Sequence, residues 1–127
     1  MDQALRQALS AFPGIRLAIL FGSLATGRED ASSDLDIAVL ADAPLSVDLK
    51  TRLIARLADI TGRPVDVVDL QAAGQPLLGE ILTRGKRLFG SDRDYGRLIY
   101  RNLLDNADFL PYRRRILEAR RKAWIGM

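Results

Sequence analysis

Short apolar runs alternate with segments of helical periodicity along most of this chain. The run at residues 15–21 is too short for a typical helix and predicts a buried strand. Over residues 34–39, Leu35, Ile37 and Val39 alternate with Asp34, Asp36 and Ala38. This period of two predicts a second strand, with one apolar face that packs and one face that presents acids. Residues 65–70 predict a third strand, and residues 87–89 a short edge strand.

Apolar residues at helical spacing predict five helices, each bounded by residues that commonly cap or break helices. Residues 25–33 are polar and contain glycine, which predicts a loop. The first predicted helix has about ten residues and stops at Pro13. The second is bounded by Ser46 and Gly62, and the third by Pro76 and Gly85. The fourth runs from Ser91 to about Asp108, and the fifth begins at Pro111.

The resulting order, α-β-β-α-β-α-β-α-α, predicts a mixed α/β (α+β) domain. We expect a mostly antiparallel sheet of about four strands, covered by helices on one side, with a helical C-terminal tail. The length of 127 residues fits a single domain, with a core over 1–90 and a tail over 91–127.

The composition narrows the chemistry that the chain can perform. Cysteine and histidine are both absent, so thiolate chemistry, the usual zinc ligands and the usual general base are excluded. Any catalysis must therefore rest on carboxylates. No apolar stretch is long enough to span a bilayer and no signal-peptide pattern is present, which predicts a cytoplasmic protein.

Charge is unevenly distributed along the chain. Residues 1–83 hold 7 basic and 11 acidic side chains, whereas residues 84–127 hold 12 basic and 5 acidic ones. The basic tail suits a partner-docking surface, although a solvated helix face is the commoner explanation of such a run. Its aromatic residues are not interleaved as in a platform for single-stranded nucleic acid, so contact with nucleic acid is the weaker hypothesis.

Two aspartates one residue apart carry the main chemical signal. In a strand, Asp34 and Asp36 point to the same side, about 6–7 Å apart, so both carboxylates can face one site. Asp66, near the start of the next strand, can join them if the two strands pair. Three converging carboxylates imply a hard cation such as Mg²⁺ or a perturbed proton affinity. Asp69 has the opposite parity to Asp66, which favours a capping role.

A glycine-serine pair follows the first predicted strand. Gly22 lets the backbone approach a phosphate closely, and Ser23 adds a hydroxyl donor. An isolated Gly-Ser pair is usually an ordinary turn. Here it accompanies the acidic pair, so the combination predicts metal-dependent phosphoryl or nucleotidyl transfer.

The three motifs together resemble the polymerase-β-type nucleotidyltransferase superfamily. They are Gly-Ser-Leu-Ala-Thr-Gly at 22–27, Ser-Asp-Leu-Asp-Ile-Ala-Val at 33–39 and Val-Asp-Val-Val-Asp-Leu at 65–70. The chain is most similar to the minimal nucleotidyltransferases, which are the antitoxin half of HEPN/MNT toxin–antitoxin pairs. The resemblance covers essentially the whole chain and implies a nucleotidyltransferase fold.

The resemblance also implies a role for each motif residue. Asp34 and Asp36 would hold two Mg²⁺ ions, with Asp66 as the third carboxylate, which completes the metal site and helps deprotonate the attacking hydroxyl. Gly22 and Ser23 would bind the β and γ phosphates of ATP. AMP would be transferred to a tyrosine of a partner HEPN-family RNase toxin, which this adenylylation silences, and a hetero-oligomer with the toxin is expected.

One position departs from the family pattern. Thr26 stands where many members have an arginine, so a phosphate or partner contact is missing unless Arg28 supplies it.

Two alternative functions remain open from the sequence. The first is a non-catalytic antitoxin that neutralises its toxin by steric binding. The second is a nucleotidyltransferase for a small molecule such as an antibiotic, which uses the same metal chemistry.

Overall fold

Four strands form one mixed sheet in the computed structural model, which describes residues 1–27 and 33–106. The strands are β1 (Ile15–Phe21), β2 (Leu35–Ala41), β3 (Val65–Asp69) and β4 (Lys86–Phe89), and they lie in the order β3-β2-β1-β4. β1 is antiparallel to β2 and to β4, whereas β2 and β3 are parallel. The predicted mixed, mostly antiparallel sheet with β4 at an edge is confirmed.

The helices agree with the predicted segments except at one place. They are α1 (Asp2–Ser10), α2 (Ser23–Thr26), α3 (Val47–Thr61) and α4 (Leu77–Arg84), followed by α5, described over 92–106. The single turn of α2 was not predicted, because four residues are too few to carry a helical period. The predicted end of α5 near Asp108 and the helix from Pro111 lie outside the described residues.

Side-chain caps begin two of these helices where the sequence predicts them. The Ser46 hydroxyl accepts a hydrogen bond from the Leu49 N–H at 3.1 Å, and the Ser91 hydroxyl accepts one from the Asp94 N–H at 3.0 Å. Gly62 ends α3 in the left-handed conformation with φ 65°. Within the described ranges, no helix is both long and apolar enough to cross a membrane.

Helices cover both faces of the sheet, so the prediction that they cover one side is wrong. α1 and α3 pack on one face, whereas α4 and α5 pack on the other. The acid-bearing face of β2 becomes apolar beyond Asp36, since Ala38 and Leu40 follow on it. β1 is apolar on both faces as well. A sheet with two apolar faces must bury both of them.

A buried ion pair joins α5 to the sheet. The Arg16 guanidinium donates to both Asp94 carboxylate oxygens, at 3.2 Å from Nε and 2.8 Å from Nη2. The Asp94 side chain is only 7% exposed, against 45% for Arg16. Leu98, one turn further along α5, is buried in the apolar core between the sheet and helices α4 and α5. The carboxylate therefore depends on one guanidinium for compensation of its charge.

Replacing Arg16 with alanine should destabilise the fold by about 1–3 kcal/mol, because Asp94 would stay buried without its partner. Urea denaturation of the wild type and Arg16→Ala measures this difference. In the double variant Arg16→Ala/Asp94→Asn, the uncompensated charge is gone, so part of the loss should be recovered. Equal stability of Arg16→Ala and the wild type would contradict this account of the pair.

Candidate active site

Strand register brings Asp36 beside two of the predicted site residues. Asp36 lies opposite Phe21 on β1 and opposite Asp66 on β3. Residues at matched positions on neighbouring strands point to the same face, so the two acids share one face of the sheet. Gly22 comes directly after Phe21. The juxtaposition of Asp36 with Asp66 that the sequence could only suggest is therefore present.

The backbone of Gly22 lies directly against the Asp36 carboxylate. A Cβ built at residue 22 would overlap the Asp36 carboxylate oxygen and would lie 3.1 Å from its carboxyl carbon. Gly22 also has φ +73°, in the left-handed region that other residues adopt only at a cost. Both the contact and the conformation require glycine. The glycine-serine turn and the acidic strand thus meet at this point.

Asp34 lies just outside β2 and is exposed. The backbone just before Asp34 is hydrogen-bonded to the segment that precedes β3. There the Arg63 guanidinium donates from Nη1 to the Ser33 carbonyl at 3.0 Å. The Leu35 N–H donates to the Pro64 carbonyl at 2.8 Å. Sequence reasoning missed this role of Arg63. The parallel pairing of β2 with β3 brings Arg63 close to Ser33. In the sequence, the only sign of this contact is the position of Arg63 just before β3.

The three acids interact electrostatically at Asp36. Partial burial raises the pKa of the Asp36 carboxyl above its ordinary value, and the nearby charges of Asp66 and then Asp34 raise it further. A group that is easier to protonate because its neighbours are negative gains most from a bound cation. The pKa shift and the geometry therefore point to the same property, a site that favours positive charge.

A cavity of about 490 Å³ opens beside the glycine-serine turn. The end of β1, with α2, forms one wall, and α4 forms the other. Thr26 lines this cavity, and its hydroxyl donates to the Ser23 carbonyl at 3.3 Å. Thr26 thus serves the turn itself. Arg28, the expected substitute for the family arginine, lies outside the described residues.

Asp69 has the structural role that its parity predicts. Its carboxylate accepts hydrogen bonds from the Leu45 N–H at 3.0 Å and the Gln71 N–H at 2.9 Å. Asp69 ends β3, so these bonds hold the chain where the strand stops. The prediction of a capping role is confirmed, and Asp69 is separate from the acidic site.

The family model for polymerase beta nucleotidyltransferases matches residues 3–94, which include every strand of the sheet. The chain belongs to this family. A nucleotidyltransferase has to hold a nucleoside triphosphate beside carboxylates, and the glycine-serine turn packed on Asp36 is suited to that task. The superfamily resemblance expected from the three motifs is confirmed.

Within the nucleotidyltransferases, the chain is similar to protein adenylyltransferases and to chains of toxin–antitoxin complexes. The protein adenylyltransferase MntA of Shewanella oneidensis is 39% identical over 82 residues, which are 65% of this chain and 59% of that protein. The match thus spans under two thirds of that relative. A chain of a solved toxin–antitoxin complex with AMP-PNP has a TM-score of 0.80 at 29% identity, with coverage of 93% of this chain and 96% of that one.

The chain is also similar to a chain of a second solved complex, in which the toxin is covalently modified. It contains a tri-AMPylated HEPN toxin of Shewanella oneidensis with an MNT antitoxin. The likeness covers 94% of this chain and 98% of the matched chain, with a TM-score of 0.70 and 27% identity. The predicted resemblance to the antitoxin group of nucleotidyltransferases is therefore confirmed.

The donor set of this nucleotidyltransferase suits a hard cation. Asp36 and Asp66 offer carboxylate oxygens on one face, with Asp34 at its rim. Among residues 1–27 and 33–106, no group of three or more acids, histidines or cysteines is arranged to hold a metal ion by itself. Mg²⁺ is usually bound by one or two carboxylates together with substrate phosphates and water, so the residues present fit that ion.

The raised pKa of Asp36 has a consequence for stability without metal. Protonation of Asp36 favours the folded state, so its contribution is present at low pH and is lost as pH rises through the folded-state pKa. Asp36→Asn should therefore be more stable than the wild type at neutral pH in a chelator. The difference should disappear below the ordinary aspartate value of 3.8. Thermal unfolding of both proteins across this pH range measures it.

Titrating groups away from the site are common to both proteins, so the difference between the two curves reports Asp36 together with its interactions with Asp66 and Asp34. Equal stability at neutral pH would contradict the electrostatic description of the site. Asp48→Asn, at an exposed ion pair with Arg52 on α3, is a control that should not be more stable than the wild type at neutral pH.

Proposed function

We propose that this nucleotidyltransferase is a Mg²⁺-dependent protein adenylyltransferase that acts as an antitoxin. It transfers AMP from ATP to a tyrosine of a cognate HEPN-family RNase toxin and thereby neutralises the toxin. The observation that carries the proposal is the place of Asp36, which touches Gly22 just after β1 and lies opposite Asp66 on β3. Similarity to a chain of a complex with AMP-PNP and to an MNT antitoxin beside an AMPylated toxin supports the donor and the acceptor.

Each residue of the site has a role in this proposal. Gly22 and Ser23 bind the β and γ phosphates, since the glycine backbone can approach them without a side chain in the way. Asp34, Asp36 and Asp66, together with the triphosphate oxygens, would hold two Mg²⁺ ions, and bound metal would supply charge stabilisation for the attacking oxygen and the leaving pyrophosphate.

The transfer needs a base as well as bound metal. Asp66 is exposed at the edge of the acidic face, where it can accept the proton of an incoming tyrosine hydroxyl. The tyrosine oxygen then bonds to the α phosphorus while the bond to the β phosphate oxygen breaks, so pyrophosphate leaves. The product is an AMP ester of the tyrosine.

The acceptor belongs to a partner protein, so the active form is a hetero-oligomer with the toxin at least during transfer. A reaction that consumes ATP and silences an RNase takes place in the cytoplasm, and we place the protein there. The core over 1–90 and the tail over 91–127 act as one domain in this proposal, with the basic tail available to the partner.

Incubation of the purified protein with ATP, Mg²⁺ and its toxin should add AMP units to a toxin tyrosine. Intact-mass and peptide mass spectrometry detect the addition. Asp36→Asn should lower the rate at least about 1000-fold, because it removes a negatively charged ligand of the metal on which the transfer depends. Lys50→Ala, on the exposed side of α3 and on the opposite face of the sheet from the acids, should retain the wild-type rate.

The same experiment separates the alternatives. If wild type adds no AMP but Asp34→Asn/Asp36→Asn still neutralises the toxin in cells, the protein is a steric antitoxin and the proposal is wrong. Transfer of AMP to an antibiotic such as an aminoglycoside, without any protein partner, would instead identify a small-molecule transferase.

Gly22 allows a sharper test of the contact with Asp36. Gly22→Ala should lose AMP transfer, because the added methyl group displaces the Asp36 carboxylate. Gly62→Ala is the matched control: Gly62 has a similar φ of +65°, but a Cβ there meets nothing within 4 Å. It should lose roughly 1–2 kcal/mol of stability and keep its activity. Equal activity of the two variants at a temperature where both are folded would contradict the proposed role.

A further inference from the structure

The cavity beside the glycine-serine turn has one basic residue among its described lining side chains, and no role has yet been given to it. Phe21, Gly22, Ser23 and Thr26 line one side, and Leu77, Glu80 and Arg84 line the other. The volume of about 490 Å³ lies within the range of small-ligand pockets. Arg84 is therefore the positively charged group that distinguishes the described lining of this cavity from the acidic face beside it.

The register of β4 places Arg84 at the end of β1. Lys86 lies opposite Leu20, and Arg87 lies opposite Ile19. Because the strands are antiparallel, the residues that precede Lys86 continue past Leu20 toward the turn at Gly22. Gly85 confirms this course, since a Cβ there would lie 3.2 Å from the Leu20 carbonyl oxygen. Arg84 thus reaches the turn from the α4 side.

The guanidinium of Arg84 is not engaged by the part of the protein that the structure describes. Arg84 is exposed, and no hydrogen bond or ion pair joins it to another described residue. Glu80, one turn earlier on α4, lines the same cavity without an ion pair to it. A planar guanidinium with free donors matches the oxygen pairs of a phosphate, which it binds bidentately.

We propose that Arg84 is a substrate-binding residue that holds the β and γ phosphates of the nucleoside triphosphate from the side opposite Gly22 and Ser23. This inference rests on the function proposed above. The site needs such a group, because three aspartates and a triphosphate are all negative. Arg84 and the metal ions would then share the neutralisation of the phosphate charge.

A purely structural role for Arg84 is the competing explanation. Arg84 stands in the last turn of α4, where a positive charge interacts favourably with the helix dipole. That role would affect stability but not the relative affinities for nucleotides of different phosphate number. The choice of nucleotides therefore decides between the two explanations.

Isothermal titration calorimetry with Mg²⁺ and either AMP-PNP or AMP tests the inference. Arg84→Ala should weaken AMP-PNP binding about 10- to 100-fold, in line with the loss of a charge-assisted bidentate contact, and should leave AMP binding unchanged. Arg84→Lys should have an intermediate affinity for AMP-PNP, because lysine keeps the positive charge but cannot make the bidentate contact of a guanidinium. Arg93→Ala, an exposed arginine remote from the cavity lining, is the control and should match the wild type.

The outcomes separate this inference from the function on which it rests. If wild type binds AMP-PNP and Arg84→Ala binds it equally well, or if AMP-PNP and AMP weaken by the same factor, the role of Arg84 is overturned and the proposed function stands. If wild type binds no AMP-PNP, the proposed function fails first. In turnover assays, Arg84→Ala should raise KM for ATP more than it lowers kcat, and a lower melting temperature alone would favour the structural explanation.

Discussion

The candidate site depends on the contact between the Asp36 carboxylate and the backbone of Gly22. No other residue type could stand at position 22, because any Cβ would overlap the carboxylate and the backbone is in the left-handed region. The contact arises because Asp36 lies opposite Phe21, so the turn after β1 passes over the side chain of β2. The glycine-serine turn and the acid on β2 are thus held together by strand register.

The same arrangement works against stability and in favour of function. Asp36 is partly buried and near two other negative charges, which raises its pKa and makes the metal-free site electrostatically unfavourable. The fold supplies the compensation elsewhere, in two apolar cores on opposite faces of the sheet. Asp36 lies at the edge of the core that α4 and α5 cover. On that face of β2 the apolar residues Ala38 and Leu40 follow it. There α4 forms one wall of the cavity of about 490 Å³ beside the glycine-serine turn.

Much of the fold could be predicted from local pattern. β1 was predicted with its observed bounds, and the caps at Ser46, Gly62 and Ser91 were predicted correctly, because caps and short apolar runs act over a few residues. The placement of all helices on one face was wrong. The alternation at residues 34–37 suggested a polar face, yet that face is apolar from Ala38 onward and is covered by α4 and α5.

The sequence by itself determined that Asp36 faces one side of a strand and that Asp69 lies apart from the acidic site, because side-chain direction in a strand alternates with every residue. It also predicted Asp34 on the same strand, whereas the structure places Asp34 just before β2. It also determined that carboxylates must carry any catalysis. Only the tertiary structure decided that Asp66 lies opposite Asp36, that Gly22 packs on Asp36 and that Arg84 reaches the end of β1. These relations join residues distant along the chain. They depend on strand order and helix packing, which a local pattern does not encode.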